Sequence, residues 1–338
     1  MNSIEIWKEI FHLSEELYIQ APWTYMAETD IFGVRTPGSG KTYFISIMGS
    51  AGELSALAAY EGSNALEQFW EIQENPNGNP ENILLIPHII LSYVNKNEID
   101  RVQTEIFKEA GFKGGRGRKW PDVKRVIPGL VPSVPGDSCL EDLANILEQS
   151  LEVFSRAQED LTFILPEDQD DDVYLVREQT KKGRKTEWKD IYRKVRSQPL
   201  RYNPVVNLSN FSTIQSLPKT TVILQAGVRM IPNHIRDKIN PDHFPFMVIL
   251  TDKKSGLVEG FELLTPFPDY NSMLEKIPVT IIGLINKLKF RPMRIEVNEE
   301  KLFVMLDPIF RKIQINIKLV PVVKSVEEAF EGILNHMG

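Results

Sequence analysis

The sequence has few of the residues on which disulfide and zinc chemistry depend. Only one of its 338 residues, Cys139, is a cysteine, so an internal disulfide and a cysteine-rich zinc site are both excluded. The five histidines have no metal-binding spacing, and a Gly-x-Ser-x-Gly elbow is absent. We therefore expect no metal and no cofactor. A single cysteine also fits a reducing compartment, which predicts a cytoplasmic protein.

Long apolar runs are absent as well. The most apolar stretch, at 83–94, is interrupted by Pro87 and His88. It is shorter than the roughly 20 residues that a helix needs to cross a bilayer. The N-terminal residues lack the basic start and apolar stretch of a signal peptide. We expect no membrane segment.

The composition is that of a folded protein, with 42% hydrophobic and 25% charged residues. The formal net charge of −7 excludes a uniformly basic surface but permits local basic patches. The length suggests two domains. Residues 166–172 are acidic and lack apolar side chains other than Pro166, which predicts a linker between domains at 1–165 and 173–338.

Apolar periodicity predicts an α+β N-terminal domain. Its expected helices lie at 3–20, at 51–74 with a break at 62–64, at 97–110 and from 138 onward. Its expected strands lie at 31–35, 42–48 and 83–94.

The C-terminal part is expected to open with a basic hairpin that turns at Lys182-Gly183-Arg184. Three strands then precede alternating helices and strands, an order written βββαβαβα, which is that of the ribonuclease H-like fold. This order predicts an α/β domain in which helices pack on a mixed sheet. The expected strands are 221–230, 246–251, 257–264, 293–297 and 314–320, and the expected helices are 269–288, 299–313 and 325–336.

Two motifs suggest enzymatic chemistry but lack necessary residues. Pro37–Thr42 resembles the end of a phosphate-binding P-loop, but Arg35 occupies the position of its first glycine, and a strand follows instead of a helix. A ribonuclease H-like nuclease needs clustered carboxylates to hold two metal ions, and the first expected strand, 221–230, has none. The weak catalytic candidates are Asp252, Glu296, Glu299 and Glu327.

Two basic segments stand out in this acidic protein. Residues 113–125 carry six basic side chains and one acidic one, and residues 177–201 carry ten and three. Glycines allow close approach to phosphate, arginines bind it through two nitrogens, and Trp120 is expected to stack on a base. The alternative is that Trp120 fills the edge of a core. The candidate anion-binding residues are Lys113, Arg116, Arg118, Lys119, Trp120, Arg125, Lys182 and Arg184.

Several segments resemble a bacterial two-domain family of unknown function. In the N-terminal half these are 30–34, 48–53, 58–62 and 115–121. In the C-terminal half, 246–261 and 292–297 are similar to the domain often paired with it. The resemblance supports the division into two domains and implies a bacterial source, but it implies no activity.

The sequence thus favours a non-catalytic binding or scaffold protein whose two basic segments face an anionic partner, such as nucleic acid. Two alternatives remain open at this stage: a divergent metal-dependent nuclease and a protein–protein interaction module.

Overall fold

The computed structural model describes residues 2–50, 52, 54–75, 79–115, 117–164, 172–182, 185–198, 202–204 and 208–337. The chain divides into two compact units. Unit 1 comprises Met1–Ile127 and Pro132–Pro199, and unit 2 comprises Pro128–Val131 and Leu200–Gly338. Helices accompany a mixed sheet in each, which confirms the expected α+β character. Within the described ranges, no helix has both the length and the apolar character to cross a membrane.

Unit 1 is built on a seven-stranded mixed sheet. In chain order its elements are α1 (Ser3–Gln20), β1 (Phe32–Arg35), β2 (Thr42–Met48), β3 (Ala56–Glu61), α2 (Gly62–Glu74), β4 (His88–Val94), α3 (Arg101–Ala110), β5 (Trp120–Val126), α4 (Asp137–Ala157), β6 (Val173–Lys182) and β7 (Lys185–Lys194). The strand order is β5-β4-β3-β2-β1-β6-β7. β1 and β6 are parallel, and the other neighbours are antiparallel.

Side-chain alternation along β2 divides the core of unit 1 between the two faces of the sheet. Tyr43, Ile45 and Ile47 join the larger apolar cluster with residues of α1 and α4, whereas Phe44 joins a smaller cluster with residues of α2. α1 and α4 also pack against each other. Because burying a leucine or isoleucine contributes about 1.5–3 kcal/mol, the two helices hold one face of the sheet firmly.

The expected helix at 51–74, with its break at 62–64, is a strand followed by a helix. Residues 56–61 form β3, which lies between β2 and β4, and α2 starts only at Gly62. Ala58 and Ala59 are fully buried. Alanine favours a helix in an isolated peptide, but its small side chain also fits a strand that is covered on both faces. Tertiary packing therefore overrides the local helix propensity in this segment.

The division between the two units falls later in the chain than the expected boundary at 166–172. The basic hairpin is β6–β7, and β6 pairs in parallel with β1 through Gly33–Arg35, which makes the hairpin part of unit 1. A contact between strands about 140 residues apart leaves no local pattern in a sequence. Of the expected linker at 166–172, all but Asp172 lies outside the described residues.

Unit 2 contains a five-stranded mixed sheet with helices. Its elements are α5 (Leu208–Ser216), β8 (Ile223–Met230), β9 (Phe246–Asp252), β10 (Val258–Leu264), α6 (Tyr270–Leu274), α7 (Ile277–Leu288), β11 (Arg294–Val297), α8 (Glu300–Phe310), β12 (Asn316–Leu319) and α9 (Lys324–Met337). The strand order is β10-β9-β8-β11-β12. β8, β9 and β10 form an antiparallel meander, and β8, β11 and β12 are parallel.

Two glycines show that helices cover both faces of this sheet. Gly227 of β8 lies against Val326 of α9, whereas Gly260 of β10 lies against Leu284 of α7. The expected helix at 269–288 is two helices, since α6 ends at Leu274 and Pro278 lies in the first turn of α7, where proline is tolerated. Pro308, in contrast, lies inside α8.

Candidate functional site

The first basic segment contains a loop at one edge of the unit 1 sheet. This basic loop, residues 113–119, joins α3 to β5. Gly114 lies so close to Trp120 that a Cβ atom there would be 2.5 Å from a carbon of the indole ring. A glycine is therefore required for the loop to fold back over Trp120.

The basic side chains of the loop that the structure describes face solvent. Lys113, Arg118 and Lys119 are exposed, and Lys119 Nζ donates a hydrogen bond of 2.9 Å to Asn95 Oδ1. Lys96 Nζ lies nearby, 5.0 Å from the centre of a Trp120 ring. Among the residues that the structure describes, none of these four cations is ion-paired with a carboxylate. Arg116 lies outside the described residues.

Trp120 belongs to the protein interior more than to this surface. Its ring contacts Phe107 and Phe112 edge to face, with centroids 5.1 and 5.5 Å apart, at the border of the larger apolar cluster. Gly114 and Lys96 lie against the same side chain. These contacts fit the core-edge interpretation, and we leave Trp120 out of the binding surface.

The end of the first basic segment is neutralised within the fold. Lys124 is paired with Asp100 and, at 3.1 Å, with Asp122. Burial raises the pKa of Asp122, and Lys124 opposes that rise. Arg125 lies 3.5 Å from Glu61 and donates to Cys139 Sγ at 2.6 Å. Arg125 is therefore not a free anion-binding side chain.

Arg177 and Arg193, the hairpin arginines that the structure describes, are also paired. Arg177 Nη1 lies 2.8 Å from Asp190 Oδ1, and Arg177 Nε donates to Gln149 Oε1. Arg156 contacts the other oxygen of Asp190, and Arg193 contacts Glu178. Although burial alone would raise the pKa of Asp190, the two guanidinium groups around it lower that pKa.

Three lysines remain exposed toward the end of the hairpin, namely Lys181, Lys185 and Lys189. They have no ion-pair partner among the described residues. The candidate Arg184 and the side chain of the candidate Lys182 lie outside what the structure describes.

The basic loop and the end of β6 near Lys181 lie at diagonally opposite corners of the unit 1 sheet. β5 and β7 form its two edges. Trp120, which follows the basic loop, pairs with Val94, at the end of the sheet where β2 ends and β3 begins. β6 runs parallel to β1 and ends where β1 meets Thr42, at the other end of the sheet. The two segments therefore do not form one surface.

An open cleft of about 820 Å³ lies at the same end of the sheet as the basic loop. Trp23, Tyr25, Met26, Asp30 and Gly49 contribute to its lining. Gly49 has a φ of +127°, and a Cβ atom there would come within 3.2 Å of Trp23, so glycine is needed beside this ring.

Aromatic rings extend from the cleft to the basic loop. Trp23 lies 5.5 Å from Tyr93, which lies 4.9 Å from Tyr18, measured between ring centroids. Tyr18 and Tyr93 line a second, smaller hollow together with Arg118 and Lys119. Sequence reasoning missed this site because its residues come from distant parts of the chain. The available signal was Trp23 and Tyr25 in the short segment between α1 and β1.

The acidic candidates of unit 2 do not form a metal cluster. Glu296 is buried, with Lys253 at 2.8 Å and Arg294 at 2.9 Å, and it accepts a hydrogen bond from Gln225. Burial would raise its pKa, but Lys253, Gln225 and Arg294 lower it overall.

Of the other three candidates, two share one arginine and the third lies in a turn. Arg229 pairs with both Glu299, at 2.8 Å, and Glu327. Asp252 accepts hydrogen bonds from the backbone of Lys254 and Ser255 within its own turn. In the part of the chain that the structure describes, no three histidine, cysteine, aspartate or glutamate side chains are placed to hold a metal ion.

Comparison with protein families agrees with the two-part organisation. Residues 7–177 match the family model of a domain of unknown function, DUF7309. The chain belongs to this family. Residues 210–334 match a second domain of unknown function, DUF6930, which confirms the resemblance to paired domains of unknown function. No curated protein matches the sequence.

Proposed function

We propose that this protein is a non-catalytic nucleic-acid-binding protein and that the basic loop of unit 1 contacts the phosphates of its partner. The observation that carries the proposal is the set of four cations, Lys96, Lys113, Arg118 and Lys119, that have no carboxylate partner among the described residues. Cations without such partners are available to a phosphate backbone.

The charge distribution of the rest of the molecule supports this choice. In the hairpin, Arg177 and Arg193 are paired with Asp190 and Glu178. Those arginines cannot bind an anion without leaving a partly buried carboxylate unpaired, which is costly. The basic loop binds without that cost. The exposed hairpin lysines Lys181, Lys185 and Lys189 also lack a partner among the described residues. The proposal assigns binding to the basic loop because Arg118 and Lys119 also line a hollow beside the half-buried ring of Tyr18.

Unit 2 has no assigned chemistry in this proposal, and we regard it as ribonuclease H-like in arrangement. Its three meandering strands followed by alternating helices and strands support that view. The cations beside Glu296, Glu299 and Glu327 argue against a nuclease, because bound metal ions would have to displace them. A cytoplasmic location is part of the proposal and is supported by the single cysteine.

The test is fluorescence anisotropy with labelled single- and double-stranded oligonucleotides over a salt series. The variant Lys113→Ala/Arg118→Ala/Lys119→Ala is compared with Lys181→Ala/Lys185→Ala/Lys189→Ala, which removes three equally exposed cations from the opposite corner of the sheet. We expect only the loop variant to bind weakly. For three lost phosphate contacts its log–log salt slope should be shallower by about 2 on single strands and by about 3 on duplexes.

Equal losses in the two variants would mean that net charge, and not the loop, determines binding. No measurable binding of any oligonucleotide by the unaltered chain would overturn the proposal.

A further inference from the structure

We infer that the cleft beside Trp23 receives an unstacked nucleobase, so that the partner is a single-stranded nucleic acid. This inference rests on the proposed function and names its partner class. The cleft, at about 820 Å³, lies within the range of about 300–1,000 Å³ of small-molecule sites. A single base with part of its sugar therefore fits.

The charges separate the roles of the two neighbouring surfaces. The one charged side chain among the described lining residues of the cleft is Asp30, whose carboxylate repels phosphate. The cations lie on the basic loop instead. The cleft therefore suits an uncharged ring, while the loop suits the backbone that carries it.

Partly exposed aromatic rings lie at each of the two surfaces. The half-buried Trp23 and Tyr25 line the cleft, and the half-buried Tyr18 lines the hollow beside Arg118 and Lys119. Tyr93, which is buried, packs against both Trp23 and Tyr18. Bases stack on aromatic side chains with little sequence preference, while a basic groove follows the backbone. A duplex keeps its bases stacked inside, so that only a single strand can place a base on Trp23.

Asp30 gives the cleft a preference among bases. Its Oδ2 accepts from the Ala27 amide at 2.7 Å, whereas Oδ1 accepts no hydrogen bond from a described residue. Carboxylates accept from exocyclic amino groups such as N4 of cytosine. Thymine and uracil have no such amino group. We therefore expect cytosine to be favoured over thymine.

The experiment compares strands of equal length and charge. The probes are fluorescein-labelled oligo(dC), oligo(dT), oligo(rC) and an abasic strand with the same number of phosphates, measured by anisotropy at one salt concentration. For the unaltered full chain we expect oligo(dC) to bind about tenfold more tightly than the abasic strand. A difference of this size corresponds to the stacking of one base on an aromatic side chain. The oligo(rC) arm shows whether RNA or DNA is preferred.

Two variants separate the contributions of the ring and the carboxylate. Trp23→Ala is expected to reduce the advantage of oligo(dC) over the abasic strand to about twofold or less, and Trp23→Phe to retain most of it. Asp30→Asn, which can still accept from Ala27, is expected to remove the preference for oligo(dC) over oligo(dT). Circular dichroism confirms that each variant is folded.

The outcomes distinguish base binding in the cleft from phosphate binding by the basic loop. If the unaltered chain binds oligo(dC) and the abasic strand equally, the cleft takes no base and this inference is overturned, while the basic loop remains a phosphate site. If it binds neither strand, the proposed function itself fails. If Trp23→Phe, folded, loses the base-dependent advantage as completely as Trp23→Ala, ring stacking is not the source.

Discussion

The basic loop and the β6–β7 hairpin have a similar excess of positive charge in the sequence but differ in the fold. In the hairpin, the antiparallel register places Asp190 directly opposite Arg177, and Glu178 lies within reach of Arg193. The basic loop precedes β5 and has no opposing strand to supply acids. Charge density alone therefore identifies candidates for binding, and the strand register determines which of them are already neutralised.

The largest effect on stability is expected from removing Asp190, the carboxylate that pairs with two arginines at the hairpin. Asp190→Ala leaves Arg156 and Arg177 without the carboxylate that separates them. Because hydrogen bonds to charged groups contribute about 1.5–3 kcal/mol, we expect the free energy of unfolding to fall by roughly 2–3 kcal/mol. Urea denaturation followed by circular dichroism measures the change.

A matched control is available on the same strand. Glu187→Ala removes an exposed carboxylate of β7 and is expected to change the free energy of unfolding by less than about 0.5 kcal/mol. Comparable losses for the two substitutions would show that the ion pairs of the hairpin contribute no more than ordinary surface charge.

A smaller effect is expected from Arg177→Lys, which keeps the charge and removes the forked guanidinium. Arg177 uses Nη1 for Asp190 and both Nε and Nη2 for Gln149, a geometry that a single ammonium group cannot reproduce. We expect a loss of about 1 kcal/mol in the free energy of unfolding by the same urea measurement. If the lysine variant is as stable as the unaltered chain, a point charge suffices at this position.

Local patterns predicted those parts of the fold that depend on local interactions. The apolar spacing at 3–20 indicated α1, and Gly111, with a φ of +71°, ends α3 where a glycine after the last turn suggests. β3 was mistaken for a helix because Ala58 and Ala59 favour helices unless the sheet buries them. This segment becomes a strand because β2 and β4 pair with it on either side, which is a long-range interaction that local patterns do not show.

The candidate site was predictable only in part, for the same reason. The exposed cations Lys113, Arg118 and Lys119 were visible as a basic, glycine-rich segment. The rings of Tyr93, beside the loop, and of Trp23, which contacts Tyr93, were not visible, because they lie about 25 and 90 residues earlier in the chain. Arg125 looked equally free in the sequence, but β5 places it beside Glu61.

The dependence of stability on pH tests whether the charge of Asp190 stabilises the hairpin. The pKa of Asp190 is lower in the folded state than in the unfolded chain, so its contribution to stability is present above its unfolded pKa and is lost as pH falls through its folded pKa. We expect the stability difference between the unaltered chain and Asp190→Asn to shrink between about pH 5 and about pH 2. A difference that stays constant over this range would show that the carboxylate charge is not what stabilises the hairpin.

The smallest effect on stability is expected in the basic loop. Lys119 is exposed, and its one hydrogen bond, to Asn95, is at the surface. Lys119→Ala should therefore change the free energy of unfolding by less than about 0.5 kcal/mol, since isolated surface contacts contribute little. A loss as large as that of Asp190→Ala would mean that the loop is held by its charges, as the hairpin is. If Lys119→Ala leaves the free energy of unfolding almost unchanged but weakens oligonucleotide binding, Lys119 contributes to binding and not to folding.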